Sequence, residues 1–236
     1  MIRRLISVRP KQILVDVNTQ RDFLLASGSV CIRNHRRVLG HIRRIMAWAR
    51  KKHIPIISLS DVYPAGNGAS FCIDGTKGQK KIHYTIIHNH ISFPADDHAD
   101  VPGGILNQHK QVILHKRCVD PFDEPRIERL LTEVKGSEFI IIGTNTEGAV
   151  MATALGLLQL GKKVCVVLDA VGSQNSRVAE LALRKMRAKG ARLAETKNIA
   201  GSSRLHIVGT CGCKRCCGQM DTKQDEIPAS SAAASN

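Results

Sequence analysis

The 236-residue sequence predicts an α/β fold, specifically a three-layer Rossmann-like sandwich with a parallel sheet in its middle layer. Short, continuous apolar runs alternate along the chain with segments of helical periodicity. Continuous apolar runs are typical of strands that are covered on both faces. Strand–helix alternation implies right-handed crossovers, and therefore helices on both sides of a parallel sheet. The chain is 43% hydrophobic, which is enough for one sizeable core.

The same patterns place the elements in order. We predict strands at 12–17, 54–60, 111–115, 138–143, 163–168 and 192–196, and helices at about 35–52, 124–135, 147–161 and 174–190. The last helix ends at a stop signal, Lys189-Gly190. Residues 61–110 interrupt this rhythm, since they are rich in Gly, His, Asp and Pro and contain one short β-like run at 81–87. We therefore expect a long excursion over the carboxyl edge of the sheet.

Further sequence features indicate the cellular compartment and the limits of the domain. No segment approaches the roughly twenty apolar residues of a membrane span, and the first residues lack a signal-peptide pattern. We expect a cytoplasmic protein with no membrane partner, whose eight cysteines are reduced. The α/β domain should occupy residues 1–200, and the Cys-containing tail with a Ser/Ala-rich end, 201–236, should be disordered. The tail holds weak candidates for a zinc or copper site, or alternatively only reduced thiols: Cys211, Cys213, Cys216 and Cys217.

The net charge of +15 is concentrated around the first long helix. Basic pairs recur there every seven residues and form one longitudinal stripe, composed of Arg36, Arg37, Arg43, Arg44, Arg50 and Lys51. One interpretation is a solvated outer face. The other is a ridge that binds phosphates of nucleic acid, although the stripe has no aromatic residues for base stacking.

Polar residues at the ends of the predicted strands are the candidate site. The first strand ends at Asp16, the third at Lys116, and the fourth enters the turn "GTNTEGA", from which a helix begins. Ligands of parallel α/β sheets gather at the carboxyl ends of the strands. We expect the acid, the ammonium group and the helix N-terminus to converge on one crevice. The alternative is a purely structural ion pair at the sheet edge.

Several motifs together resemble one family. The stretches "ILVDVNTQRDF", "FCIDGTKGQKK", "QVILHKRCVDPF" and "FIIIGTNTEGAVMATALGLLQLGKKVCVVLDAVGS" are similar, in order and spacing, to the isochorismatase-like superfamily of cysteine hydrolases. This superfamily includes nicotinamidases and N-carbamoyl amidohydrolases, and the resemblance covers residues from about 10 to 197. It implies a six-stranded parallel sheet, a small-molecule ligand, a homo-oligomer and no cofactor.

The resemblance also assigns site residues. The Asp and Lys of the family's Asp–Lys–Cys triad correspond to Asp16 and Lys116, and the position of its nucleophilic Cys is held by Ala149. It implies a cis peptide between Thr144 and Asn145, and an oxyanion hole formed by the backbone amides of Asn145 and Ala149. Without a thiol at position 149, nucleophilic attack from that position is impossible.

Two departures concern the pocket. The first motif has two more residues between Asp16 and Phe23 than the usual form. Where metal-binding members have histidines, this chain has Tyr63 and Phe71, which leaves Asp61 as the one surviving metal ligand. We therefore expect Phe23, Asp61, Tyr63 and Phe71 to line a substrate pocket that holds no metal. Scattered histidines of the excursion are a second, weaker candidate for a cation site: His83, His88, His90 and His98.

Three functions remain open from the sequence. The first is a hydrolase homologue that has kept the Asp and Lys of the triad, is inactive as a cysteine hydrolase and binds a small amide or carboxylate. The second is a noncovalent, isochorismate-type vinyl ether hydrolase in which Asp16 acts as general acid. The third is a non-catalytic protein whose basic helix binds nucleic acid or an acidic partner.

Overall fold

The computed structural model describes residues 12–201, in which one seven-stranded parallel sheet lies between two layers of helices. The strands run in the order β3-β4-β2-β1-β5-β6-β7. Their bounds are Gln12–Val17 (β1), Ile56–Asp61 (β2), His90–Phe93 (β3), Gln111–Lys116 (β4), Glu138–Thr144 (β5), Val164–Gly172 (β6) and Arg192–Ala194 (β7). The predicted fold class is confirmed.

The helices follow the predicted pattern closely. The four longer predicted helices correspond to α2, α4, α5 and α6, and the short helices α1, α3 and α7 complete the set in the described residues. Their bounds are Arg21–Leu24 (α1), His35–Lys51 (α2), Ile105–Gln108 (α3), Pro125–Glu133 (α4), Met151–Gln159 (α5), Ser176–Ala188 (α6) and Thr196–Ala200 (α7). A separate helical turn, Thr146–Val150, precedes α5 and contains the non-helical residue Gly148.

The excursion contains the strand that the sequence prediction missed. The sheet has seven strands rather than six because β3 pairs with the outer side of β4. The predicted β-like run at 81–87 is wrong: Lys81 forms an isolated bridge with Gln20, and a 3₁₀ turn follows at His83–Thr85. The side chain of Gln111 accepts a bond from the amide of Ile87 and donates to the carbonyl of Thr85. These backbone groups are therefore not available to a strand ladder.

Alternation along the strands separates two cores, one on each face of the sheet. On one face, which we call the α4/α5 face, odd-numbered β1 residues such as Val15 and Val17 pack in the same cluster as Ile127 of α4 and Leu157 of α5. On the other, the α2 face, Leu14 packs with residues of α2, including Val38, Ile42 and Ile45. Successive side chains of a strand point to opposite faces. Whether a residue number is odd or even in β1 therefore decides which core it enters.

Some predictions concern features outside this region. Residues 1–11 and 202–236 lie outside the described residues, and so do Cys211, Cys213, Cys216 and Cys217. Between residues 12 and 201, no helix is long and apolar enough to cross a membrane.

Candidate functional site

The carboxyl ends of β1, β2, β4 and β5 meet at one edge of the sheet. Asp61, the last residue of β2, is paired in register with Lys116, the last residue of β4. Strand alternation places Asp61 on the same face as Leu59, and Lys116 on the same face as Leu114, since the members of each pair are two positions apart. Both leucines belong to the α4/α5 core. The acid and the lysine therefore point to the same side of the sheet.

A buried hydrogen-bonded unit, Asn18–Asp61–Lys116, forms at this edge. The ammonium group of Lys116 donates to one carboxylate oxygen of Asp61, and to the carbonyl oxygen of Cys118 at 2.7 Å. Asn18 Nδ2 donates to the other oxygen of Asp61 at 2.8 Å. The side chain of Lys116 is 0% exposed and that of Asp61 is 5% exposed. Burial raises the pKa of Asp61, and this effect is opposed by Lys116 and Asn18.

The turn that carries Ala149 closes the site. The Thr144–Asn145 peptide is cis, as the family resemblance predicts. Thr144 Oγ1 donates to the carbonyl oxygen of Asn18 at 2.8 Å, which joins this turn to the end of β1. On its other side, a Cβ added at Gly148 would lie 3.5 Å from a methyl group of Val119, in the loop after Lys116. The turn thus lies between the Asn18 and Lys116 ends of the buried unit.

Ala149 itself presents only a methyl group. Its side chain belongs to the α4/α5 core, and the residue is 4% exposed. Its carbonyl oxygen accepts a bond from Thr153 Oγ1 at 2.6 Å, which fixes the start of α5. The side chain at position 149 is therefore neither a nucleophile nor a proton donor.

Asp16 does not meet Lys116, which corrects the expected convergence of these two residues. Asp16 lies between Val15 and Val17, so its side chain points to the α2 face, opposite to that of Lys116. There it is 0% exposed; its carboxylate accepts bonds from Lys81 at 2.8 Å and from Ser58 Oγ at 2.9 Å. Because successive side chains of β1 alternate between the two faces, an acid at position 16 enters the α2 core together with Leu14.

Lys81 is a charged residue that the sequence reasoning missed. It comes from the excursion and donates to Thr19 Oγ1 at 2.7 Å as well as to Asp16. Gln111 supports the same network by donating to Ser58 Oγ at 2.8 Å. The sequence contains no local signal for this pairing, because 65 residues separate the partners. The network holds the excursion on the sheet.

The residues predicted to line a pocket do come together. The rings of Phe23 and Phe71 lie 5.5 Å apart, and those of Tyr63 and Phe71 lie 5.4 Å apart, both edge to face. Tyr63 follows Asp61 by two residues, so this aromatic group lies beside the carboxyl end of β2. Burial is the main cause that raises the pKa of the Tyr63 phenol. The phenol therefore stays protonated in the neutral pH range.

These residues do not fit a bound zinc ion. Zinc sites use deprotonated cysteine, histidine or carboxylate ligands, whereas the two positions that hold histidines in metal-binding members carry the phenol of Tyr63 and the phenyl ring of Phe71. Burial also raises the pKa of the nearby Cys72 thiol, which keeps it protonated at neutral pH. The carboxylate of Asp61 is already bonded to a cation, Lys116. Between residues 12 and 201, no three His, Cys, Asp or Glu side chains are grouped so that they could hold a metal. His83, His88, His90 and His98 belong to this part of the chain.

The basic stripe on α2 is partly used inside the molecule. The guanidinium of Arg43 lies 4.8 Å from the ring centre of Tyr84, and Arg50 donates to the carbonyl oxygen of Tyr84. Arg44 donates to the carbonyl oxygen of Gly201 at 3.0 Å. These arginines tie α2 to the excursion and to the end of α7.

Comparison with known proteins agrees with this architecture. The family model described as the isochorismatase domain matches residues 12–198. A pyrazinamidase of Pyrococcus horikoshii, solved in complex with zinc, is 21% identical with a TM-score of 0.62, over 79% of this chain and 99% of that one. An N-carbamoylsarcosine amidase from Thermoplasma acidophilum is 19% identical with a TM-score of 0.60, over 80% and 98% of the two chains.

A third structure is similar over a longer part of the chain. The putative isochorismatase hydrolase from Oleispira antarctica is 13% identical with a TM-score of 0.65, over 84% of this chain and all of that one (100%). Comparison with curated protein sequences finds no match. At these identities, the structural likeness establishes the fold alone.

Proposed function

The chain belongs to the isochorismatase family, and we propose that it is a hydrolase homologue that binds a small amide or carboxylate without cysteine-hydrolase chemistry. The observation that carries the proposal is the methyl group of Ala149 at the helix start beside the Asn18–Asp61–Lys116 unit. That helix start is where the family resemblance puts the nucleophile. A methyl group forms no covalent intermediate with a carbonyl substrate.

The polar groups of the site suit a ligand that both accepts and donates hydrogen bonds. An ammonium group has three donors, and Lys116 directs bonds to Asp61 and the Cys118 carbonyl. The third N–H of Lys116 can donate a hydrogen bond to a carbonyl or carboxylate oxygen of a ligand. Asn18 Oδ1 is buried and has no hydrogen-bond partner among the described residues. It can accept a bond from a ligand amide N–H, and an amide supplies both groups.

The alternative functions have less support. A general-acid role for Asp16 requires access to a ligand, whereas its carboxylate is buried on the α2 face and bonded to Lys81. A polyanion-binding role for α2 requires free basic groups, whereas Arg43 and Arg44 have partners within the molecule. We retain the homo-oligomer as an expectation that light scattering of the purified protein would check.

The test compares the protein with its Ala149→Cys variant (A149C) on a panel of primary amides and their carboxylates. We expect the unmodified protein to be stabilised against thermal unfolding by at least one compound without turning it over. We expect A149C to release ammonia from amides of the same chemical type. Ala149→Ser is the matched control, because its hydroxyl is a far weaker nucleophile at neutral pH.

Two results would contradict the proposal. One is turnover by the unmodified protein at a rate equal to that of A149C, because the reaction would then not depend on a thiol at position 149. The other is a panel in which no amide or carboxylate stabilises either protein. Activity of A149C that survives Lys116→Met would separately exclude the part assigned to Lys116.

A further inference from the structure

We infer that Asp61, held by Asn18, is the carboxyl group that faces position 149, and that Asp16 is a structural residue of the opposite core. The inference rests on the proposed function and deepens it, because it names the acid that a ligand at this site would meet. It differs from the assignment that the sequence motif suggests, in which Asp16 takes that place.

The directions of the side chains separate the two acids. Asp61 and Lys116 end neighbouring strands, are paired in register and follow leucines of the α4/α5 core by two residues. Ala149 belongs to the same core. Asp16 follows Leu14 of the α2 core by two residues. A strand cannot present Asp16 to Ala149 without shifting its register by one residue, which would also expose its apolar residues to the wrong core.

The length of the first motif agrees with these directions. This chain has two more residues between Asp16 and Phe23 than the usual family form. Counted backwards from Phe23, the position of the family acid is therefore Asn18. Asn18 lies just beyond β1, with a positive φ of 49°, and its amide nitrogen binds Asp61 at 2.8 Å. A neutral amide thus stands where the spacing would put the acid, and the negative charge comes from β2.

The hydrogen bonds around Asn18 leave one buried acceptor open. Since Nδ2 is directed to Asp61, the orientation of the Asn18 amide is fixed, and Oδ1 is turned away from the carboxylate. Asn18 is 2% exposed, and Oδ1 has no hydrogen-bond partner among residues 12–201. A buried acceptor without a donor is costly, and in native structures it calls for an explanation such as a bound group. A ligand N–H at this site supplies the missing donor.

Asp16 has a separate role on the opposite face of the sheet. Its charge is balanced by Lys81, and both side chains are buried, at 0% and 5% exposure. Ser58 and Thr19 also belong to this unit, which connects β1 to the excursion, and both Ser58 and Lys81 bond to Oδ2 of Asp16. The other carboxylate oxygen, Oδ1, has no hydrogen-bond partner among residues 12–201. None of these hydrogen bonds involves Lys116, Asp61 or the Ala149 turn, so we expect the pair to have little part in the electrostatics of position 149.

The experiment places a thiol at position 149 and uses its pKa as a local probe of charge. In A149C, the rate of alkylation by iodoacetamide is measured from pH 6 to pH 10. The introduced thiol is followed by peptide mass spectrometry, because the chain already has eight cysteines. The thiolate is the reactive form. A nearby cation lowers a thiol pKa and a nearby anion raises it.

We expect Lys116→Met, made in the A149C background, to raise the pKa of the introduced thiol. Its alkylation at pH 7 should slow by roughly tenfold, which corresponds to about one pKa unit. Asp61→Asn should change the rate in the opposite direction. The double variant Asp16→Asn/Lys81→Met removes both charges of the other pair. It should leave the rate within about twofold of A149C, because the two opposite charges are 2.8 Å apart, largely cancel at a distance and belong to the other face of the sheet.

Asn18→Asp is a second test that does not remove the buried acid. In the A149C background, a carboxylate at position 18 should raise the thiol pKa and slow alkylation at pH 7. Adding Lys116→Met to this variant should raise the thiol pKa further. Circular dichroism and the urea midpoint of each variant establish that the comparison is made between folded proteins. This test stands even if Asp61→Asn fails to fold.

The inference is overturned if the Asp16/Lys81 variant shifts the thiol pKa as much as Asp61→Asn does, or if folded Asp61 and Asn18 variants leave it unchanged. The thiol pKa of each variant is measured without a ligand. A compound panel without any binder therefore contradicts the proposed function while the thiol titration still decides the inference. Conversely, a compound that binds equally well to Asp61→Asn and A149C contradicts the inference alone.

Discussion

Among residues 12–201, Asp16–Lys81 and Asp61–Lys116 are the two buried ion pairs at this end of the sheet. Each pair has one member on a central strand, and each is supported by neutral hydrogen-bond partners. Burial of a charge is tolerated only with a partner of opposite sign and satisfied hydrogen bonds. These two pairs therefore have to form together with the fold.

Removal of one member of the Asp16 pair gives the first prediction. In Lys81→Met, the carboxylate of Asp16 stays buried without its cation, and we expect a loss of about 3–5 kcal/mol in the free energy of unfolding. The double variant Asp16→Asn/Lys81→Met should recover most of this loss, since it leaves no buried charge. Urea denaturation checks both. A single variant as stable as the double variant would show that the ion pair is not needed.

The sequence alone indicated where some of the candidate residues lie in the fold. Lys116 and Ala149 followed from strand ends and motif spacing, and the structure puts them at the same sheet edge. Asn18 was within reach of sequence reasoning, because the two extra residues before Phe23 already displace the motif. Lys81 was not, since an excursion folds back over many residues by tertiary contacts that no local pattern encodes.

At the scale of elements, α2 is held to the excursion by its own basic residues. Arg43 lies against the ring of Tyr84, and Arg50 donates to the carbonyl of the same residue. The apolar side of α2, which includes Val38, Ile42 and Ile45, packs on the sheet. The stripe that the sequence offered as a phosphate ridge is thus partly an attachment between elements.

This attachment gives the second prediction. Arg43→Ala should lower the free energy of unfolding by about 0.5–1 kcal/mol, because it removes the cation–π contact with Tyr84. Lys51→Ala is the matched control on the same helix, since Lys51 is exposed, and it should be neutral within about 0.5 kcal/mol. Thermal and urea unfolding measure both. Equal effects of the two changes would contradict the structural role of Arg43.

Strand β6 shows that an element can be predicted correctly while its last residue is not. The run predicted at 163–168 extends in the structure to Gly172, and its pairing with β5 shifts between Ile141 and Gly143. The irregularity in the β5–β6 pairing lies just before the cis peptide and the Ala149 turn. Boundaries depend on pairing with neighbouring strands, whereas the apolar run itself depends only on local composition.

At the scale of the whole molecule, two half-buried histidines couple stability to pH. Burial lowers the pKa of His41, an effect that Asp169 opposes and Arg44 and Arg37 reinforce. Burial also lowers the pKa of His115, and the nearby charge of Lys81 adds to it. A histidine whose folded-state pKa is lowered binds its proton more readily in the unfolded chain. Its contribution to stability is therefore lost as the pH falls below its ordinary pKa of 6.5.

We predict from this that the free energy of unfolding decreases measurably between about pH 7.5 and pH 5.5. Substitution of both residues, His41→Gln and His115→Gln, should flatten this part of the profile. Asp61 has a raised pKa and contributes with the opposite sign, so the comparison is made between the unmodified and the doubly substituted protein. Urea midpoints at several pH values measure it. Identical slopes for the two proteins would refute the assignment.

The fold class, the family and the order of the strands and long helices other than β3 could be read from the chain, because each depends on apolar periodicity and motif spacing within short windows. The partners of the buried charges could not. Asp16 and Lys116 were expected to meet, but a side chain's direction depends on the register of its strand between two cores, and register is set by packing across the sheet. The excursion then brought Lys81 to Asp16, and β2 brought Asp61 to Lys116.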